Sequence, residues 1–313
     1  GIALYELNRY AEALASYDRA LTIKPDLAEA LNNRANVLLD LKRPQEALAS
    51  CERALAIRPE YVDALNNRGI ALQVLNRNQE ALASYDKAIT LDPDSVEAHW
   101  NGSLCRLLLG DYANGWQEYE WRWRAKDFLA LSPKREFRQP LWLGKEDIAG
   151  KTLLVHAEQG FGDTLQFCRY TEWIAQKGAR VILEVERPLK ALLASVSGVS
   201  LVLAKGEALP EFDCHCPLAS LPLAFGTRLE TIPSHVPYLS PSRQYVDKWQ
   251  ARLGPKVSLR VGIAWSGRIT HTKQHERSIP LDKLLPLADS GVNLVSVQKD
   301  VQPQDREALA AHA

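Results

Sequence analysis

Matched against itself, the sequence falls into register at an offset of 34 residues. Pro25, Pro59 and Pro93 align, as do Ala13, Ala47 and Ala81, and then Ala20, Ala54 and Ala88. Ala30, Ala64 and Ala98 form another column, Asn33, Asn67 and Asn101 a further one, and Tyr17, Cys51, Tyr85 and Tyr119 share one more. A unit this short cannot bury its own apolar side and must bury it on its neighbours, so the period dictates a stacked array over about residues 1–125. Alanines at two fixed places let two helices of each unit approach closely. Proline follows the second helix because it cannot continue one. Leu38, Leu72, Leu48 and Leu82 recur at helical spacing and are expected in the core.

The last unit departs from the pattern. Gly110-Asp111-Tyr112 keeps the turn between helices, but Gly115 and Arg122 stand where alanines are expected. Tyr112, Trp116, Tyr119 and Trp123 follow at spacings of 4, 3 and 4, which makes one aromatic helix face. That face is expected to cap the array and dock it on the next domain; the alternative is a stacking platform for bases or sugars. Arg122, Arg124, Lys126, Lys134, Arg135 and Arg138 read as a solvated linker face, with an anion-facing patch as the alternative. Residues 126–150, with Pro133, Pro140, Gly144 and Gly150, read as the linker itself.

From Lys151 the period changes. Short apolar runs at 152–156, 180–185, 199–204 and 213–216 predict strands. Helices are predicted at 163–177, 188–196 and 218–225. This alternation predicts a parallel, doubly wound α/β domain over 151–256. A second such segment starts near 257, with a helix at 243–253 before it, strands at 259–265 and 292–297, and helices at 281–289 and 303–312.

The 313 residues suit about two domains of roughly 150 residues. Lys+Arg and Asp+Glu are both 38, which argues against a generally basic nucleic-acid binder. No apolar run reaches the ~18 residues of a membrane span, and Gly1 opens into an amphipathic pattern instead of a leader. Five scattered cysteines fit no disulfide framework, and the expected location is cytoplasmic. With no methionine at all, residue 1 is not expected to be the natural start.

Several motifs fail on inspection. Gly160 and Gly162 open a dinucleotide fingerprint, but Leu165 stands where its third glycine belongs. Gly150-Lys151-Thr152 precedes a strand, whereas a phosphate loop follows one. Cys214-His215-Cys216 lies on a strand, where adjacent side chains point to opposite faces, so no metal site is expected. Asn101-Gly102-Ser103 has the form of a glycosylation sequon but sits inside a helical repeat. What remains is strand–Gly160-Phe161-Gly162-Asp163–helix. Its glycines admit another molecule to the backbone, and its carboxylate stands at the carboxyl end of a strand, where open α/β sheets bind ligands. Asp163 can cap the helix, touch a ligand or act as a base.

Two resemblances organise these observations. The 34-residue unit, with its alanine and proline columns, resembles the tetratricopeptide repeat, and Gly1 would be the eighth position of a repeat cut inside an array. The stretch from Lys151 to Gln166 resembles the opening of the heptosyltransferase-like glycosyltransferases. Its continuation, Gln166-Phe-Cys-Arg-Tyr170, resembles bacterial proteins that join such repeats to that domain. The resemblance implies a GT-B fold, with two Rossmann-like domains, the second starting near 257 and incomplete. It implies a nucleotide-sugar donor, no cofactor and no metal, with Asp163 as the base that deprotonates the acceptor hydroxyl. It makes Gly160, Gly162, Thr164, Gln166, Ser266, Gly267 and Arg277 candidates for substrate and donor contacts, Arg277 holding phosphate where the family usually has Lys. His156, Glu158, Gln159, His271 and Lys273 are candidate neighbours of the site, though each taken singly reads as structural or solvated. The repeats would recruit a polypeptide partner or acceptor, without nucleic acid. Because the second domain looks incomplete, the 313-residue chain alone is not expected to be a competent transferase and is expected to bind sugar nucleotide weakly or not at all. A non-catalytic interaction scaffold with a relic α/β domain is the alternative. A dinucleotide-dependent oxidoreductase is disfavoured by the missing glycine.

Overall fold

Eight helices open the chain: α1 (Ile2–Glu6), α2 (Tyr10–Ile23), α3 (Ala28–Asp40), α4 (Pro44–Ile57), α5 (Val62–Val74), α6 (Asn78–Leu91), α7 (Val96–Leu108) and α8 (Tyr112–Tyr119). The computed structural model describes residues 1–267 and 278–311, and the chain divides into two compact units, 1–240 and 241–313. The boundaries of α2, α4 and α6 repeat at the sequence period, as do those of α3, α5 and α7. The turn inside each pair repeats too: Asn8, Lys42 and Asn76 take φ of 57°, 60° and 59°, and Gly110 takes 85°. One left-handed residue per unit reverses the chain, a conformation that suits Asn8, Asn76 and Gly110 and that Lys42 also adopts.

The alanines of these columns are buried except Ala20, which is partly exposed, and Leu38, Leu72 and Leu48 are buried; Leu82 packs half-buried against the same core. A second complementarity runs through the array. A Cβ on Gly69 would lie 2.4 Å from Cε1 of Tyr85, and a Cβ on Gly1 equally close to Cε1 of Tyr17. Between those units the matching positions are Ala35 and Cys51, both fully buried. In the first three units glycine thus accompanies tyrosine and alanine accompanies cysteine, conserving the volume at these helix contacts, whereas the last unit has Ser103 with Tyr119.

The α/β part of the first unit holds four parallel strands, β1 (Thr152–His156), β2 (Arg180–Val185), β3 (Val199–Ala204) and β4 (Cys214–Pro217), in the order β3-β2-β1-β4. Helices α10 (Phe161–Phe167), α11 (Thr171–Gln176), α12 (Lys190–Leu193) and α13 (Leu221–Ala224) alternate with them. The single helix expected over 163–177 is two, separated by a 3-10 turn at Cys168–Tyr170. Residues from all four helices or the turns that open them share one core with Leu153, Val155, Val181 and Leu183. The other face, carrying Leu154 and Ile182, is covered by Phe137, Leu209 and Phe212. The doubly wound arrangement is therefore corrected: the connection from β3 to β4 contains no helix, and extended chain covers the second face.

That extended chain comes from residues 126–150. After α9 (Lys126–Leu131), Leu141 forms a parallel bridge with His215, and Trp142 N donates to His215 O at 2.8 Å. Trp142 and Ile148 are buried in the α/β core. The segment read as a linker is built into the domain.

The second unit is described by itself. It holds α14 (Arg243–Leu253), the parallel pair β5 (Arg260–Ile263) and β6 (Asn293–Ser296), and α15 (Pro303–Ala311). The unit begins at Pro241, so α14 belongs with β5 and β6 and not with the first sheet. The helix expected at 281–289 is a pair of 3-10 turns, Leu281–Lys283 and Leu285–Ser290. Pro286, near the start of the second, has no N–H to continue a helical ladder from the first.

Candidate functional site

Asp163 occupies the first turn of α10, just beyond the carboxyl end of β1. Its Oδ2 accepts from the backbone N–H of Gly160 at 3.0 Å. Gly160 has no side chain to return the bond, so only half of the reciprocal capping pair forms. Gly160 and Gly162 are exposed, and a Cβ on Gly162 would meet nothing within 4 Å. The fold itself therefore does not require glycine at 162. Gln166 is exposed. Thr164 is not available to a substrate: it is buried, and its hydroxyl donates to Gly160 O at 3.1 Å. Its place under the helix corrects the expectation of a ligand contact.

In this strand order the connections diverge between β1 and β4, the place where open α/β sheets receive ligands. Here it receives the repeat array. Arg122, on the 3-10 turn Glu120–Trp123 that follows α8, is fully buried. Its Nη1 lies 2.5 Å from Glu120 Oε1, and its Nη2 lies 3.2 Å from Glu158 Oε1 and donates to Ser220 Oγ at 2.6 Å. Glu158 also accepts from the N–H groups of Leu218 and Ala219, at 3.0 and 3.2 Å, where the chain leaves β4. The Arg122 guanidinium stacks over the rings of Tyr119 and Trp123 at 4.8 and 4.7 Å. Burial pushes the Glu158 carboxyl upward, against the opposing pull of Arg122.

The aromatic residues dock as the capping reading expects. Trp116 meets Phe167 edge-on at 5.9 Å, and Tyr119 Oη accepts from Gln159 Nε2 at 2.8 Å. Trp123 lies on the 3-10 turn, so the four aromatics do not share one continuous α-helix. The solvated linker face is corrected at two positions: Arg122 is buried, and Arg135 pairs with the buried Glu184.

A cavity of about 360 Å³ opens on the second face of the sheet. The array side contributes Trp123, Leu131, Ser132, Pro133 and Arg135; the strand ends contribute His156, Glu158, Glu184 and Lys205. His156 Nε2 lies 3.3 Å from His215 Nδ1, with Phe137 packed against both rings. Burial, with His215 and Arg135 nearby, depresses His156 to about 3 and keeps it neutral. Of the sequence candidates, His156 and Glu158 line this cavity, whereas Asp163 does not.

In the second unit the turn after β5 is held by one amide. Gln298 Oε1 accepts from Trp265 N and Ser266 N at 3.0 and 3.1 Å, and its Nε2 donates to Ser266 O at 2.9 Å. Ser266 and Gly267 thus sit at the end of a shaped strand. Gln298 gave no signal in the sequence because it acts across 32 residues. Arg277, His271 and Lys273 lie outside the described residues. Among the described residues, no three His, Cys, Asp or Glu side chains are grouped to hold a metal ion.

Residues 1–42 match the TPR repeat family and residues 26–94 the tetratricopeptide repeat family. Residues 1–94 are tetratricopeptide repeats. Protein FlbA of Caulobacter vibrioides is 26% identical over 218 residues, covering 61% of this chain and 35% of FlbA. The chain therefore spans about a third of that curated relative, and the matched stretch is longer than the tetratricopeptide array. Among solved structures, MamA 41-end from Desulfovibrio magneticus RS-1 is 25% identical, over 38% of this chain and 68% of that one, with a TM-score of 0.36. The first tetratricopeptide domain of Spaghetti (RPAP3), bound to an HSP90 peptide, is 27% identical over 35% of this chain and 86% of its own, with a TM-score of 0.34. No helix among the described residues is long and apolar enough to cross a membrane.

Proposed function

We propose that the tetratricopeptide array holds a polypeptide and presents it to an α/β domain that forms the acceptor half of a GT-B glycosyltransferase. The observation that carries this reading is the docking of the array at the branch point of the sheet through Arg122 and Glu158. A polypeptide on the inner helices would then be fixed in position relative to the β1–α10 loop. Those inner helices, α3, α5 and α7, touch one another along the stack and are bridged by amides: Asn67 donates to Asn32 at 2.8 Å and Asn101 to Asn66 at 3.0 Å.

In this reading Asp163 takes the acceptor proton as the hydroxyl attacks the sugar carbon of a nucleoside diphosphate sugar. The exposed Gly162 leaves room for the acceptor at the backbone. Ser266, whose backbone is held by Gln298, is with Gly267 and Arg277 a proposed contact for the diphosphate leaving group. The five cysteines, all buried and unpaired, fit a reducing cytoplasm.

The test is transfer of a radiolabelled sugar by the full natural protein, with and without residues 1–94. Trp100, Trp116 and Tyr119 pack with the α/β core, so the cut must stay upstream of them. Loss of transfer to polypeptide, with hydrolysis of the sugar nucleotide retained, is expected. Unchanged transfer after the cut contradicts recruitment. A scaffold without catalysis is the second reading. It is favoured by one observation: the Asp163 carboxylate already serves as a helix cap.

A further inference from the structure

The cavity on the second face exists because the crossover from β3 to β4 has no helix. The turn carrying Trp123, the end of α9 and the segment after it border this end of the sheet and leave about 360 Å³ unfilled. That volume lies at the small end of the range for ligand pockets, ~300–1,000 Å³.

The lining restricts what can enter. Its charged groups are Arg135, Lys205, Glu158 and Glu184. Each is already neutralised by the protein: Arg135 pairs with Glu184, Lys205 with Glu186 at 2.6 Å, and Glu158 with Arg122. His156 adds no charge. An ionic ligand would lose its hydration here and find no uncommitted counter-charge. Donors and acceptors nevertheless stand side by side at the strand ends. A hydroxyl both donates and accepts, which suits such a mixed lining. Trp123 supplies an apolar wall for a C–H face, with Leu131 and Pro133 at the exposed rim.

We propose that this cavity binds a neutral saccharide unit of pyranose size, with its hydroxyls toward the strand ends and a C–H face toward Trp123. A pyranose unites many hydroxyls, no charge and one apolar face. A nucleoside diphosphate does not fit this description, so the cavity is distinct from any donor site. The inference stands whether or not the Asp163 loop performs transfer.

The test is calorimetric titration of the 313-residue protein with neutral methyl hexosides, beside the matching uronates and hexose 6-phosphates. At least one neutral hexoside is expected to bind, and its charged counterparts at least about tenfold more weakly. Ser132→Trp fills the cavity from its half-exposed rim without touching an ion pair. It is expected to abolish binding while the melting temperature stays unchanged. Should that variant fail to fold, Trp123→Leu is expected to weaken binding about tenfold by removing the apolar wall. Three results overturn the proposal: no neutral hexoside binds the unaltered protein, the charged sugars bind as well or better, or binding survives in the folded cavity-filling variant.

Discussion

Arg122 of the repeat array and Glu158 of the α/β domain form a buried ion pair, with Nη2 and Oε1 3.2 Å apart and side-chain exposures of 0% and 5%. At the position where earlier repeats carry a small alanine, the last one carries a guanidinium that crosses into the sheet's branch point. The pair lies where the array meets the sheet, beside the contacts of Trp116 with Phe167 and of Tyr119 with Gln159. Removing Arg122 leaves the buried Glu158 carboxylate without its counterpart, whereas removing Glu158 leaves Arg122 paired with Glu120.

Arg122→Met should therefore destabilise the protein by ~3–5 kcal/mol. Urea unfolding followed by circular dichroism measures this. Glu158→Gln in the same chain should recover part of the loss, because the stranded carboxylate is then gone. A single variant within about 0.5 kcal/mol of the parent would show that the pair does not hold the layers together.

His156 gives a pH signature. Its folded value of about 3 lies below the ordinary 6.5. The unfolded chain takes up a proton as pH falls through 6.5, while the native state stays neutral until near 3. Stability is thus full above about 6.5 and declines across that window, by a few kcal/mol at most. His156→Gln should flatten the decline between about pH 6.5 and 4.5 and leave a smaller slope from His215, which burial also depresses. Equal slopes in both proteins would contradict the burial argument.

The tyrosine–glycine complementarity predicts a coupled pair. Gly69→Ala places a Cβ against the Tyr85 ring and should cost ~1–3 kcal/mol. Adding Tyr85→Cys recreates the Ala35–Cys51 pairing of the preceding unit. The two changes should be non-additive, with Gly69→Ala costing at least ~0.5 kcal/mol less in the Tyr85→Cys background than in the parent. Additive losses would mean that the two columns do not compensate each other.

The repeats were legible because every period restates the same spacing. The four strands were legible as short apolar runs. Arg122 was not, because its partners lie 36 and 98 residues away and no local pattern encodes them. Trp142 and Ile148 sat among prolines and glycines, which mark turns but not whether a segment is buried. Asp163 was found at the helix start, but the sequence could not separate a cap from a base. Thr164, one position on, turns into the core because a helix rotates each residue by about 100°.

The cap and the base can be separated by one substitution. Asparagine at 163 keeps an oxygen for the Gly160 N–H but cannot take a proton at neutral pH. The measurement is sugar transfer by the full natural protein carrying Asp163→Asn, with a panel of nucleoside diphosphate sugars and thermal unfolding recorded in parallel. The account predicts an unchanged melting temperature and loss of transfer by at least about a hundredfold. Near-normal transfer by the folded variant would leave Asp163 as a helix cap alone and contradict the assignment of the base.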